Sequence, residues 1–260
     1  MRTVLSFKAA CLMHSLIYIG FLGLFAGTVT LEIHHLMPPS LKFLQGTTYI
    51  VYSFTLELAT IAYLTGLFWA LARRLIGTEY RIKTKTTIDD YLTLSLLIFI
   101  GISGITTEAG RIALENFPDY EKWSFIGYAV GQFLNLSNPE LFHRVSWVLH
   151  VVSFFVFLIA IPLSKLRHIF TSPINMFMSP KERPKGAMKF IGNLLEADDI
   201  DNVGTEIIDH FTWKQLMDLD ACTVCGRCTS VCPANQTGKS LDPREIILKV
   251  GQVMSESGPV

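Results

Sequence analysis

Four apolar blocks of bilayer-crossing length, at about residues 11–31, 48–72, 91–107 and 143–165, constrain this chain more than any other feature. Hydrocarbon holds no water, so such a block must satisfy its own backbone hydrogen bonds, which a helix does. The expected fold is therefore an all-α membrane protein with a bundle of four transmembrane helices. Composition agrees: 50% of the residues are hydrophobic and 17% charged. The formal net charge of +0 says little about partners, because charge matters here by side of the membrane. No nucleic-acid partner is expected. The first block is too long for a signal-peptide core and lacks a small-residue cleavage pattern, so it reads as a retained span.

Charge then orients the spans. Between Arg73 and Lys85 lie five basic residues, Arg73, Arg74, Arg81, Lys83 and Lys85, against one acid, Glu79, which places that loop in the cytoplasm. Lys165, Arg167, Lys181, Arg183, Lys185 and Lys189 follow the fourth block, while the 108–144 connection carries five acids and three bases. Four crossings consistent with these loops put both termini in the cytoplasm of a multi-pass protein.

Histidines at matching depths suggest what the bundle holds. His150 and His168 are eighteen residues apart, five whole turns, so one continuous helix would show both on one face about 27 Å apart. That arrangement suits two b-type haems stacked across the membrane. The plain alternative is an anchor helix, with His150 bonded to a neighbour and His168 at headgroup level. In the first block, His35 lies about 60° around the axis from His14, and His34 about 160°. The rise from His14 to His35 is ~31 Å. Two antiparallel helices would then clamp the haems, His14 with His168 near the cytoplasm and His35 with His150 near the outside. His143, about 20° off the face of His150, is the reserve for the outer position.

Other residues carry two readings each. Gly20, Gly23 and Gly27 suit close approach of either a macrocycle or a helix. Glu57, costly at its depth, fits a proton or quinone site, or a hydrogen bond to a neighbouring helix. Glu108 and Arg111 fit a haem propionate, a quinone oxygen or an ordinary ion pair with each other. Arg144, Lys165 and Arg167 are candidates for holding propionates. The apolar stretch 123–136 is too short to span and reads as an interfacial or re-entrant helix over the outer site.

The C-terminal region changes character. Residues 171–205 read as a proline-broken connector along the membrane surface, after a cytochrome domain at 1–170 and before an iron–sulfur module at 206–260. That module carries Cys222, Cys225, Cys228 and Cys232 followed by Pro233, four of the five cysteines within eleven residues. The spacing is that of a ferredoxin half-motif for a [4Fe–4S] cluster; zinc sites usually separate their thiolates into two pairs. In two-cluster ferredoxins the fourth cysteine serves the other cluster, and no second motif follows here. Either all four hold one cluster, or further ligands come from a partner or from sequence beyond Val260. The second reading makes the mainly helical ferredoxin-type module incomplete.

On these residues the chain resembles a known family. His150, Pro162, Lys165 and His168 match the last haem-bearing helix of the cytochrome b (gamma) subunit of respiratory nitrate reductases and of the related heterodisulfide reductase membrane subunit. HSLIYIGFLGLFAGT, around His14, is similar to that family's first ligand helix, except that Leu24 stands where nitrate reductases have a second histidine. FTWKQLMDLDACTVCGRCTSVCPA and the later TGKSLDP resemble membrane-fused iron–sulfur oxidoreductases, a class that includes electron-transfer-flavoprotein:menaquinone oxidoreductases. The resemblance implies a respiratory protein of a bacterial or archaeal cytoplasmic membrane. It would pass electrons from a cytoplasmic protein, an electron-transfer flavoprotein for instance, through iron–sulfur clusters and two b haems to menaquinone. The same residues serve a quinol-linked heterodisulfide-reductase-like enzyme running in reverse, and a haem-free membrane anchor for an iron–sulfur subunit is the third reading. No side chain is expected to be catalytic in its own right, because the redox chemistry belongs to the cofactors. A homo-oligomer is compatible with each reading.

Overall fold

The computed structural model describes residues 8–76, 86–179 and 205–257. The basic loop at 77–85 and most of the connector, including Lys181, Arg183, Lys185 and Lys189, fall outside the described residues. Among those described, all regular structure is helical. Four helices are long and apolar enough to cross a membrane: α1 (Lys8–Leu36), α2 (Gly46–Leu75), α3 (Ile88–Leu114) and α5 (Pro139–Leu163). Between the last two lie a 3-10 turn, Asp119–Trp123, and the short apolar helix α4 (Phe125–Leu134). Then come α6 (His168–Phe177), α7 (Trp213–Asp220), α8 (Arg227–Ser230), α9 (Pro233–Gln236) and α10 (Pro243–Ser257). The chain divides into two compact units, one ending at Ala160 and the other beginning at Ile161.

Within the first unit, α1 and α2 meet through small residues. A Cβ on Gly20 would stand 2.7 Å from the Tyr63 backbone nitrogen, and one on Gly66 2.9 Å from that of Ile17. Neither backbone can yield, so both positions exclude a side chain. Gly23 and Gly27 likewise face Ala59 and Leu56. The small-residue stripe of α1 thus serves helix packing, the dispersion-driven association expected where lipid removes the hydrophobic incentive. Tyr52 and Tyr63 of α2 add hydrogen bonds to the carbonyls of Gly27 in α1, at 2.8 Å, and Leu97 in α3, at 3.0 Å. Phe21 of α1 touches Phe157 of α5 with ring centroids 5.7 Å apart. At its start, α3 is closed by a capping box between Thr87 and Asp90.

The fourth span ends earlier than its histidine spacing suggests. Pro162 lies one residue before the end of α5, and Ser164 turns extended at φ −119 and ψ −179, its hydroxyl accepting from the Leu166 N–H. A 3-10 turn, Lys165–Arg167, then leads into α6. His150 and His168 therefore do not share one continuous helical face. The removed proline donor and the serine cap break the helix between them.

In the second unit, α7 is entered through a capping box between Thr212 and Gln215, and α10 packs against α7 and α8. The cysteine loop lies between α7 and α9. Arg244 of α10 is buried and holds Asp242, and Asp242 accepts the hydroxyl of Thr229, the residue after Cys228. Those acceptor bonds outweigh desolvation and hold the Asp242 carboxyl below its ordinary value.

Candidate functional site

The histidines can be sorted by which ring nitrogen carries the proton. Ser103 of α3 donates its hydroxyl to the Ile100 carbonyl at 3.0 Å, so its oxygen is left to accept from His150 Nδ1 at 2.9 Å. His143 Nδ1 meets the Thr107 carbonyl at 3.0 Å, and His168 Nδ1 the Lys165 carbonyl at 2.5 Å. A carbonyl only accepts, so Nδ1 of His143 and of His168 bears hydrogen, and with the Ser103 hydroxyl turned to Ile100 so does Nδ1 of His150; in the neutral ring the lone pair is then on Nε2. That is the tautomer of a metal-ligating imidazole, with the outer-shell oxygen that fixes its ring. A Cβ on Gly104 would come within 3.3 Å of His150 Cε1, so the ring is seated against a bare stretch of α3.

His34 shows the opposite arrangement. It accepts from the Leu44 N–H at Nδ1, 3.1 Å away, which puts its proton on Nε2. Its ring packs edge-on against Phe43, so His34 pins the chain after α1. His35, next to it, is exposed, as is His14. Counted from the Phe21–Phe157 contact at ~1.5 Å per residue along antiparallel helices, His35 stands level with His143, and His150 lies about 10 Å deeper.

Where α3 gives way to α4, the acids and bases sort differently from their sequence spacing. Arg111 pairs with Glu121 at 2.7 Å and Glu115 at 3.2 Å, and its Nη2 donates to Tyr49 at 3.0 Å. Glu108, three residues earlier on α3, makes neither an ion pair nor a hydrogen bond with it; residues beyond α3 reach it first. Glu121 is fully buried and also accepts from Tyr49 at 2.7 Å and Ser124 at 3.1 Å. Ser124 in turn shares a hydrogen bond with Ser53 of α2. Burial pushes the Glu121 carboxyl up, but the bonds from Arg111, Tyr49 and Ser124 outweigh it and hold the group below its ordinary value. Glu57 accepts from the backbone N–H groups of Ile126 and Gly127 at 3.0 and 3.3 Å, closing the N-terminus of α4 from a different helix. Glu108 packs on Gly127, where a Cβ would stand 2.7 Å from its Oε2. The short helix α4 is thereby tied to α2 and α3.

Cys222 and Cys232 are half-buried, and Cys225 and Cys228 exposed. Val224 and Gly226, on either side of Cys225, have φ of 56° and 69°. Two left-handed residues flanking a cysteine curl the loop tightly, at a cost for Val224 that a plain connection would not retain. Among the described residues no group of three His, Cys, Asp or Glu could hold a single metal ion. A b haem needs only two side chains and a cubane binds thiolates at separate iron corners, so neither requires such a group.

Residues 7–183 match the nitrate reductase gamma subunit family. The chain belongs to that family. Residues 213–234 match a 4Fe-4S binding domain, centred on the cysteine loop. The chain is 29% identical over 248 residues to "EtfAB:quinone oxidoreductase" of Syntrophomonas wolfei, covering 91% of this chain and 34% of the relative. It is 29% identical over 267 residues to "Probable iron-sulfur-binding oxidoreductase FadF" of Bacillus subtilis, covering 99% and 36%. A "Probable membrane-anchored ferredoxin" of Chromohalobacter salexigens is 45% identical over 62 residues, 23% of this chain and 9% of the relative. The chain thus spans about a third of the length of the first two. No solved structure matches it. Family and relatives together make this a membrane electron-transfer protein with a cytochrome b domain and an iron–sulfur domain.

Ser103, Thr107, Tyr49, Ser53, Ser124 and Glu121 make contacts at the candidate site that their place in the sequence does not announce. Ser103, Thr106 and Thr107 were visible as hydroxyl residues clustered in an apolar block. Glu121 carried no such signal, because its partners come from other elements.

Proposed function

We propose that this chain carries electrons between a cytoplasmic redox protein and the membrane menaquinone pool, through [4Fe–4S] and two b haems. The electron-transfer flavoprotein is the soluble donor that the first relative's name suggests. The observation that carries the haem assignment is the shared tautomer of His143, His150 and His168, each with Nδ1–H tied to an oxygen. When bound, haem iron and the cubane accept and release single electrons; the chain's own residues bind them, orient them and set their surroundings.

His14 and His168 are the cytoplasmic-side ligands. His35 and His150 are those of the outer side, where His143 competes for the partnership with His35 because it lies at the same level. Cys222, Cys225, Cys228 and Cys232 hold iron–sulfur, with Val224 and Gly226 curling the loop. Glu108 and Arg111, at the outer end, are the candidates for contact with a propionate or a quinone oxygen; in this reading Arg111 is drawn partly from its partners Glu115 and Glu121. Residues 1–170 form the cytochrome domain, 171–205 the connector and 206–260 the iron–sulfur module, with both termini cytoplasmic.

The likeness of one region to a membrane-anchored ferredoxin favours a second reading, a haem-free anchor. A reduced-minus-oxidised spectrum of the purified chain separates the two. Low-spin haem bands that are bleached selectively in His150→Ala support the electron route, and their absence from the parent protein overturns it.

A further inference from the structure

Helix α6 has its faces the wrong way round for a helix in water. Thr171, Ser172 and Asn175, at helical spacing, point to α7. Asn175 donates to Asp218 at 2.8 Å and accepts from Lys214 at 2.6 Å, while the hydroxyls of Thr171 and Ser172 reach the carbonyls of Asp220 and Ala221, both at 3.4 Å. Just before the helix, Arg167 pairs with Asp220 at 3.3 Å. The opposite face carries Phe170, Ile174 and Phe177, at i, i+4 and i+7, with exposures of 58%, 49% and 78%. A soluble amphipathic helix buries its apolar stripe against protein and wets its polar one. Here the polar stripe is the one joined to protein.

Chain position identifies what meets the apolar face. Leu163, the last residue of a membrane span, is 81% exposed, and α6 starts five residues later within the same compact unit. So short a link keeps α6 near the plane where the hydrocarbon ends. Lys165 and Arg167 sit in that link, at the level of lipid phosphates, where basic side chains favour an anionic surface.

We propose that α6 is an interfacial helix that seats the cysteine-bearing module on the membrane: Phe170, Ile174 and Phe177 lie in the headgroup–acyl boundary of an anionic bilayer, and Thr171, Ser172 and Asn175 carry α7. Cys222 follows α7 by one residue, so the cysteine loop is held at the membrane surface by this helix and does not hang from a tether. The proposal rests on Pro139–Leu163 being a span. It does not depend on haem content, electron direction or the identity of any soluble partner.

The test uses the full chain in nanodiscs containing anionic lipid, with a nitroxide amino acid introduced by codon suppression at position 174, 175 or 177, which leaves every cysteine in place. Collision of the label with oxygen, concentrated in hydrocarbon, is compared with collision with a water-soluble nickel chelate. The expected result is several-fold oxygen preference at 174 and 177, absent at 175, and a smaller preference in purely zwitterionic lipid. Nickel-dominated collisions at 174 and 177 would put the face in water, and protection from both reagents would put it under protein; either overturns the proposal. Phe177 is already exposed, so a label there is tolerated, and haem and iron content of the same sample reports separately on the electron route.

Discussion

At the scale of single residues, the central feature is the oxygen that fixes each imidazole proposed as a haem ligand. Ser103 holds the proton of His150 Nδ1 because its own hydroxyl is committed to Ile100. Ser103→Ala removes that acceptor while leaving the imidazole in place. Outer-shell losses of this kind weaken metal-site affinity or activity about 10–100-fold, so the variant is expected to retain less haem and to show a shifted midpoint potential in a redox titration. His150→Ala removes the ligand itself and should abolish one haem signal outright. Glu121 makes a different prediction. It is a fully buried carboxylate paired with Arg111, and truncating it to Ala leaves Glu115 as the remaining carboxylate on that guanidinium and takes the acceptor from Tyr49 and Ser124, at about 1–3 kcal/mol. Because its folded pKa is held below the ordinary 4.5, its contribution is present above that value and is lost as pH falls through the folded pKa. Thermal unfolding followed against pH should show an acid-side decline that is blunted in Glu121→Gln. None of these partnerships was readable from spacing. The tautomers depend on which oxygen of α3 faces which histidine, and Glu121 finds Arg111 only once the chain has turned at Pro118.

At the scale of elements, close packing of α1 on α2 is the most sensitive contact. The gap at Gly20 is bounded by Tyr63 and Ala59 backbone atoms, at 2.7 and 2.8 Å from an added Cβ. Gly20→Val must therefore separate the two helices, and the expected outcome is a marked fall in folded yield and in the unfolding midpoint in detergent. Gly46→Ala provides a contrast: nothing lies within 4 Å of an added Cβ there, and only its φ of +55° is strained, so the effect should be smaller. The four spans were legible from apolar length alone; the first three extend a few residues past both ends of their apolar cores because polar ends continue the helix, and the fourth does so at its start only. The short helix within 123–136 was legible too, as was the reading of Glu57 as a bond to a neighbouring helix. The break at Ser164 was not. Eighteen residues is five turns only if the helix is unbroken, and Pro162 was read as part of a ligand pattern when it also stood one residue before the helix end.

At the scale of the whole molecule, the four-cysteine motif and the apolar blocks were enough to indicate a membrane cytochrome joined to an iron–sulfur module, because each states its own chemistry locally. Assigning partners among the histidines needs contacts between elements, which spacing cannot supply; His35 and His143 illustrate this. The orientation expected from the basic segments can be checked directly. Reporter fusions after Arg81 and Asp199 are expected on the cytoplasmic side and one after Asp119 outside, and an external signal after Asp199 would put the cysteine loop on the wrong side for a cytoplasmic donor. The claim on which the rest depends is that this one chain holds both haem and iron–sulfur. Its most direct test is a reduced-minus-oxidised spectrum of the purified protein, with haem and iron quantified per chain. The account predicts two low-spin b haems together with cluster iron that is lost in Cys225→Ser; a preparation with cluster iron and no haem would contradict it.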